Sequence, residues 1–525
     1  MRFLTVGQMR EADRAAVADG VPAMVLMNRA GAAVARAVET LAALRGGKRV
    51  LVVAGHGNNG GDACVAARCL FEDGFSVQVI MTCVPATLKG EAREAWDEMR
   101  TAGVPYVVLA SPESWEEDID VFSGLVLRQG VVVDGVLGTG CSGAPSGAAE
   151  KAIRWINGMR PHALVVSADL PSGMNGDTGE AEGAVVRADV TVTFARPKRC
   201  FLNEAQAELV GHLTVADIGI ADAICDVGTD GEQAQMIALP ELARWFPRRA
   251  WGAHKGALGH VCVVGGSACF RHAPVLAALG AVRGGAGLVT VAGPQASVAA
   301  LAAQVPEAMA RVLDAPQGVV SAEALAACGP LEGFDALVVG PGLSVCAETV
   351  AAVRQVLSSY RGRLVLDADG LNALAALYAE GWRPADGPEL LLTPHPGEAA
   401  RLLGVTAAEV QADRQGTARR LAERYRAAVA LKGAGTLVCG VDGVVWLNRT
   451  GNPGMASGGT GDVLAGLAGA LWAQGMAAWQ AAAAAVWAHG EAGDLAAFAE
   501  GQTALSATRL AGYLGRVLQV VERQA

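Results

Sequence analysis

Twelve consecutive residues, Gly451-Asn452-Pro453-Gly454-Met455-Ala456-Ser457-Gly458-Gly459-Thr460-Gly461-Asp462, contain five glycines and end in an aspartate just ahead of the apolar run Val463-Leu464-Ala465. A glycine-rich turn that opens a helix presents bare backbone N–H groups. The helix dipole adds positive potential, so an anion such as phosphate is stabilised there. A carboxylate at that spot repels phosphate and needs another task. Taking the proton of a hydroxyl that meets a phosphoryl group suits its position. The alternative is that Asp462 merely caps the helix, a role that does not call for Gly458, Gly459 and Gly461 together.

Three further loops carry chemistry in the first half. Gly55-His56-Gly57-Asn58-Asn59-Gly60-Gly61-Asp62 follows the strand-like run Arg49-Val50-Leu51-Val52-Val53-Ala54 and precedes a helix expected over 63–73. Strand, glycine loop and helix in succession cradle phosphate, although this loop is neither a Walker loop nor a G-x-G-x-x-G fingerprint. Its paired asparagines suit a ribose, a carboxamide or a hard cation better than phosphate alone. Asp134-Gly135-Val136-Leu137-Gly138-Thr139-Gly140-Cys141-Ser142-Gly143 and Asp169-Leu170-Pro171-Ser172-Gly173-Met174-Asn175 also follow apolar runs. A turn aspartate bonding nearby N–H groups would explain Asp134 or Asp169 singly. Three such loops point to ligand binding at the carboxyl edge of an open sheet.

The second half adds three signals. Thr393-Pro394-His395-Pro396-Gly397-Glu398 fixes a histidine between two prolines at a strand end, poised for ligand contact. Lys432-Gly433-Ala434-Gly435-Thr436 joins two strands through a turn of small residues, from which a lysine and a threonine can reach nucleotide phosphates. Gly340-Pro341-Gly342-Leu343 ends another strand.

The elements that position these loops repeat one theme. Apolar runs at 49–55, 76–81, 131–134, 163–169 and 189–194 alternate with helical stretches at 91–101 and 147–159, after a helical arm over 6–44. Near-continuous apolar strands alternating with helices imply a parallel, doubly wound sheet. A polar, glycine-bearing stretch at 221–239 reads as a linker. A second α/β set follows, with strands expected at 260–265, 288–291, 336–340, 364–367, 391–393, 429–432 and 444–447. Domains are therefore expected at 1–220 and 240–525, in keeping with a length too great for one core.

Composition narrows the classes. The chain has 525 residues, 52% hydrophobic and 18% charged, with net charge −10. That balance argues against nonspecific nucleic-acid or anionic-membrane binding. Eleven cysteines without a C-x-x-C pair suit a reducing cytoplasm rather than a disulfide framework or a zinc site. The first twenty residues include Glu11, Asp13 and Asp19 and lack a signal-peptide core. Residues 463–487 carry no charge. Gln474-Gly475 and Gln480 interrupt them, which favours two buried, alanine-rich helices joined near Gly475 over a membrane span.

Together, Asn58-Asn59-Gly60-Gly61-Asp62, Val133-Asp134 with Gly138-Thr139-Gly140, and Asp169-Leu170-Pro171-Ser172-Gly173 resemble the epimerase domain of the bifunctional NAD(P)H-hydrate repair enzymes, over about residues 1–220. His254-Lys255-Gly256, Gly265-Gly266-Ser267, His395, the 432–436 turn and the Asp462 loop resemble the ADP/ATP-dependent NAD(P)H-hydrate dehydratase, of ribokinase-like fold, over roughly 240–520. The resemblance implies a Rossmann-like domain followed by a ribokinase-like one. The first would interconvert the R and S epimers of hydrated NADH or NADPH, and the second would dehydrate the S form with ADP or ATP and magnesium. It implies that Asn58, Asn59, Gly60, Gly61, Asp62, Gly138, Thr139, Gly140, Cys141, Ser142, Gly143 and Ala144 hold the hydrated dinucleotide. Asp169 would contact its ring and transfer a proton, and Asn59, Asp134 and Ser172 would bind potassium. In the second domain Lys432, Gly433, Ala434, Gly435, Thr436 and Gly461 would bind the adenine nucleotide. Ala273, Gly342, His395 and Asp462 would line the hydrate site. Asp462 would deprotonate the ring hydroxyl, which attacks the terminal phosphoryl group. A cytoplasmic homo-oligomer is expected.

The sequence departs from the family at Ala63, where glycine is usual, at Asn28, where an acidic residue is expected, and at Cys269-Phe270-Arg271-His272-Ala273, usually small and glycine-bearing. A ribokinase-like small-molecule kinase carrying a non-catalytic scaffold domain is the alternative. It shares the Gly-Asp corner but does not account for the 393–398 segment or the fused first domain.

Overall fold

The computed structural model describes residues 1–117, 130–140, 143–226 and 234–525, and divides into two compact units, Met1–Gln233 and Ala234–Ala525. The boundary falls inside the stretch expected to be a linker.

The first unit is a parallel sheet of seven strands: β1 (Arg49–Ala54), β2 (Ser76–Met81), β3 (Tyr106–Val108), β4 (Gly130–Gly135), β5 (Ala163–Ala168), β6 (Val190–Phe194) and β7 (His212–Ala216), in the order β3-β2-β1-β4-β5-β6-β7. Leu51, Val53 and Val132 pack with Ala152, Ile153 and Ile156 of the helix Gly147–Met159. The alternating Val50, Val52, Val131 and Val133 are equally buried, so both faces are covered. That is why these strands read as unbroken apolar runs. Strand order reverses between β1 and β4, so the loops after those strands flank the crevice in which such sheets bind ligands.

The expected helical arm is two helices, Val6–Ala18 and Ala23–Arg45. The first asparagine loop differs more. Helix Asn58–Glu72 begins five residues before the expected 63, with Gly57 as its N-cap. Asn58 to Asp62 are thus the helix's own first turn. Gly60 permits this: a Cβ there would lie 2.0 Å from the carbonyl oxygen of Gly55. Ala63 is accommodated because Gly135, whose Cβ would come 2.4 Å from the Ala63 methyl, has no side chain.

The second unit is a sheet of ten strands: β8 (Gln235–Met236), β9 (His260–Val264), β10 (Leu288–Pro294), β11 (Met309–Leu313), β12 (Ala336–Val339), β13 (Arg363–Leu366), β14 (Glu389–Leu392), β15 (Ala427–Leu431), β16 (Leu437–Cys439) and β17 (Val445–Leu447). Their order is β11-β10-β9-β12-β13-β14-β15-β16-β17-β8. The pairs β15–β16 and β16–β17 are antiparallel and the rest parallel. The order again reverses, here between β9 and β12.

Helix Thr460–Ala473 packs on the apolar face of this sheet beside helix Ala273–Arg283. Helix Ala478–Glu500 follows after a break around Gly475, as expected from its composition. Among the described residues no helix is long and apolar enough to cross a membrane.

Candidate active sites

In the first unit the β1, β4 and β5 loops meet. Asn59, buried on the first helical turn, donates from Nδ2 to the Leu137 carbonyl at 2.9 Å. The Ser172 hydroxyl donates to the same carbonyl at 3.0 Å. Asp134 is fully buried. Its Oδ2 accepts from Ser167 Oγ (2.8 Å) and Ser172 N (2.9 Å), and its Oδ1 from Ser172 Oγ and Val136 N. Burial pushes its carboxyl up, against those hydrogen bonds.

These bonds are the turn-closing pattern that the sequence left open as an alternative. One atom stands outside it: Asn59 Oδ1 is buried with no hydrogen-bond partner. An unpaired buried acceptor is costly. The same amide is joined through the Leu137 carbonyl to Ser172, which bonds Asp134, and oxygen donors of these kinds suit a hard cation. Asn58 is exposed at the start of the helix, where free N–H groups favour an anion. Thr139 accepts Arg10 Nη2 at its carbonyl, 3.0 Å. Cys141 and Ser142 lie outside the described residues.

Asp169 begins the loop after β5 in a left-handed backbone conformation, φ 61°. For a residue other than glycine this costs about 1–3 kcal/mol and persists where the surroundings enforce it. Its Oδ1 accepts from Thr193 Oγ1 (3.1 Å), Phe194 N (3.4 Å) and the Lys198 ammonium. Lys198 was not singled out by sequence. A lysine just past the end of an apolar strand, β6, was the available signal. Asp62 lies buried on the first helical turn. Burial, and then the charge of Asp169, push its carboxyl well above the usual range. At Asn28, where an acidic residue was expected, the amide oxygen accepts Arg68 Nη2 at 3.0 Å.

In the second unit Gly459, φ 92°, is the N-cap of helix Thr460–Ala473, so Asp462 is not the cap and lies in the first turn. The glycine loop is tied down behind it. Asp494 accepts Gly451 N (2.7 Å) and Asn452 Nδ2 (2.8 Å), and Thr460 Oγ1 donates to the carbonyls of Met455 and Ser457, each 3.0 Å away. Buried His489 donates from Nε2 to the Thr460 carbonyl at 2.9 Å.

Asp462 faces a charge cluster. Lys432 Nζ lies 2.7 Å from Asp367 Oδ1 and 4.0 Å from Glu398 Oε2, and Thr393 Oγ1 donates to Asp367 at 2.8 Å. A methyl group placed on Gly461 would come 3.4 Å from Lys432 Nζ. Burial, then the charge of Asp367, raise the Asp462 carboxyl to about 7, with Lys432 opposing. It is thus poised to exchange a proton near neutrality. Burial works against the Lys432 ammonium, yet Asp367 and Glu398 raise it. His395 caps helix Pro396–Leu403. Its Nδ1 accepts Gly397 N at 3.0 Å, and its half-exposed ring stands 3.4 Å from Glu398.

The turn at 432–436 joins two strands, β15 and β16, and its two polar side chains are engaged within the protein. Lys432 pairs with Asp367, and Thr436 Oγ1 donates to the Gly433 carbonyl at 3.0 Å. Arg414 Nη2 holds the turn through the Gly435 carbonyl at 3.0 Å. Gly342 and Ala273 are neighbours: a methyl group on Gly342 would approach Ala273 Cβ to 3.0 Å. Ala273 starts its helix directly after the exposed Phe270 segment. Glu398 stood inside a quoted motif and Asp367 at the end of an expected strand, yet the sequence does not show that three strand-end loops bring them to one lysine.

Similar proteins agree with this two-part arrangement. A family model described as NAD(P)H-hydrate dehydratase matches residues 261–516, and one described as YjeF-related protein N-terminus matches 23–200. The bifunctional NAD(P)H-hydrate repair enzyme of Moorella thermoacetica is 39% identical over 528 residues, covering 100% of this chain and 98% of its own. That of Escherichia coli is 35% identical over 95% of this chain and 90% of its own. Among solved structures, the ADP/ATP-dependent NAD(P)H-hydrate dehydratase of Bacillus subtilis, crystallised with ATP and Mg2+, superposes with a TM-score of 0.50 at 29% identity, over 56% of this chain and all of its own.

Proposed function

The chain belongs to the bifunctional NAD(P)H-hydrate repair enzymes, and from that premise we propose how its own residues carry the two reactions. The enzyme epimerises hydrated NADH and NADPH and dehydrates them with ADP or ATP and magnesium.

In the second unit the free N–H groups at the start of helix Thr460–Ala473 and the backbone of the 432–436 turn receive the adenine nucleotide. Ala273, Gly342 and His395 line the hydrate site. Asp462 takes the proton of the ring hydroxyl. The hydroxyl oxygen bonds to the terminal phosphorus as the bond to the nucleotide breaks. Phosphate then leaves with the C–O bonding pair, and loss of a proton from the neighbouring carbon restores the ring double bond. The observation that carries this is the Asp462 carboxyl, raised to about 7 at the mouth of a phosphate-binding helix and facing the Lys432–Asp367 pair. Asp462→Asn should lose about 10²–10⁴ in dehydration rate while adenine nucleotide still binds by calorimetry. Near-normal dehydration would remove the assignment.

In the first unit Asn58, Asn59, Gly60, Gly61 and Asp62 with the 138–144 loop hold the hydrated dinucleotide, and Asp169 moves the proton. Asn59, Asp134 and Ser172 would hold a potassium ion. The unpartnered Asn59 Oδ1 and an all-oxygen donor set support it. The ion would screen Asp134 from ligand phosphates and tie the loops together. The reading extends to a cytoplasmic homo-oligomer. The cysteines described are free thiols, as in a reducing compartment. Light scattering tests the assembly.

A further inference from the structure

Lys198 is 1% exposed, yet no part of the reaction described above uses it. A lysine this deep is rare unless paired. Its ammonium donates to Asp169 Oδ1, to Thr193 Oγ1 at 3.0 Å and to the Phe194 carbonyl at 3.1 Å. All three donor positions of the ammonium are therefore used. Its backbone is also pinned. Leu4 bridges to Lys198: Leu4 N donates to the Pro197 carbonyl and Arg199 N to the Leu4 carbonyl.

The Asp169 side gives the pair its meaning. Every hydrogen bond to this carboxylate among the described residues falls on Oδ1, and its side chain is 14% exposed. Oδ2 is left to face a ligand. The backbone beneath is strained, so the side chain's direction is not set by an ordinary local preference. Thr193 bonds both members of the pair and closes a triangle with them.

We propose that Lys198 is the positioning residue of the epimerase site: its buried ammonium fixes the Asp169 carboxylate through Oδ1 and so aims Oδ2 at the hydrated ring. The inference rests on the reading of Asp169 as the proton-transfer group. The other charged groups facing the pair are Asp13, from the first helix, and Asp62, from the asparagine helix. Burial raises both carboxyls, Asp62 strongly, and Asp169 is the one in direct contact with the Lys198 ammonium. A misplacement of about 1 Å at a reacting group costs on the order of 10²-fold in rate. The lysine therefore acts on turnover and not on dinucleotide affinity.

The test uses the full chain, with dinucleotide binding by the first unit and its thermal transition reporting that each variant is folded. Lys198→Met should lower kcat of epimerisation about 10²-fold with KM within about threefold. Lys198→Arg should recover part of the rate. Asp169→Asn should slow epimerisation about 10²–10⁴-fold, and Asp169→Asn/Lys198→Met should be no slower than Asp169→Asn alone, because the lysine acts only through the aspartate. The double variant, with neither charge left unpaired, should regain thermal stability lost in Lys198→Met without regaining activity. Lys198→Met at near-normal kcat beside a slowed Asp169→Asn would overturn the lysine's role alone. So would a loss confined to KM, or additive losses in the double variant. Normal epimerisation by Asp169→Asn would overturn the reading of Asp169 itself.

Discussion

At the scale of single residues the chemistry depends on carboxylates whose surroundings set their proton affinity. In the proposed dehydration Asp462 must be ionised to accept the hydroxyl proton, and burial raises its carboxyl to about 7. Dehydration kcat/KM should therefore climb with pH up to about 7 and level off above it. Asp367 is the neighbour that most raises Asp462. Asp367→Asn removes that negative charge and leaves Lys432 nearer to an unshared partner, so the acidic limb should move to lower pH. A limb that stays put would show that the cluster does not tune the base. The potassium assignment has its own check. Exchanging potassium for a large organic cation, or making Asn59→Ala, should slow epimerisation and weaken dinucleotide binding. Unchanged rate and affinity would leave the Asp134–Ser172 bonds as turn closure only. The sequence revealed the residues that motifs name, such as Asp462, Asp169 and His395. It did not reveal Lys198, Asp367 or Glu398 in their roles, because each acquires its partner from a different strand end.

At the scale of elements, burial decided what could be read. The central strands β1, β4, β5, β9, β12 and β13 are covered on both faces and stood out as apolar runs. The strands missed were mostly edges: β3 and β7 of the first sheet, β11 and β8 of the second. Met309, Tyr106 and Val108 are exposed on them, and an edge has no need of an unbroken apolar run. β16 was implied only as the strand beyond the 432–436 turn and given no range. The helix that carries Asp462 is held at its start by His489 and along its length by close packing. His489 titrates at about 4 in the fold, lowered by burial, against about 6.5 when unfolded. Between those values the unfolded chain binds a proton that the folded one does not. Stability should thus fall as pH drops from about 6.5 to 4, by roughly 3 kcal/mol from this group. Denaturant unfolding at several pH values should show a smaller fall for His489→Gln; equal slopes would assign the acid sensitivity elsewhere. Along the helix, a Cβ on Gly466 would lie 1.8 Å from the Ala277 carbonyl oxygen. Gly466→Val should accordingly lower the melting temperature and dehydration together.

At the scale of the whole molecule, two sheets of different topology each place glycine loops at the point where strand order reverses. One site has a carboxylate aimed by a buried lysine, and the other has a carboxylate beside a helix start built for phosphate. The central claim is that these are two catalytic centres with separate bases acting on two epimers of one damaged cofactor. The most direct measurement supplies a mixture of R- and S-hydrated NADH with ATP and magnesium and follows recovery of reduced-nicotinamide absorbance. The unaltered chain should restore the whole mixture. Asp169→Asn should restore the S share quickly and then slow to the uncatalysed epimerisation rate, and Asp462→Asn should restore almost none. Full, fast recovery by Asp169→Asn, or recovery by Asp462→Asn at the normal rate, would contradict the account.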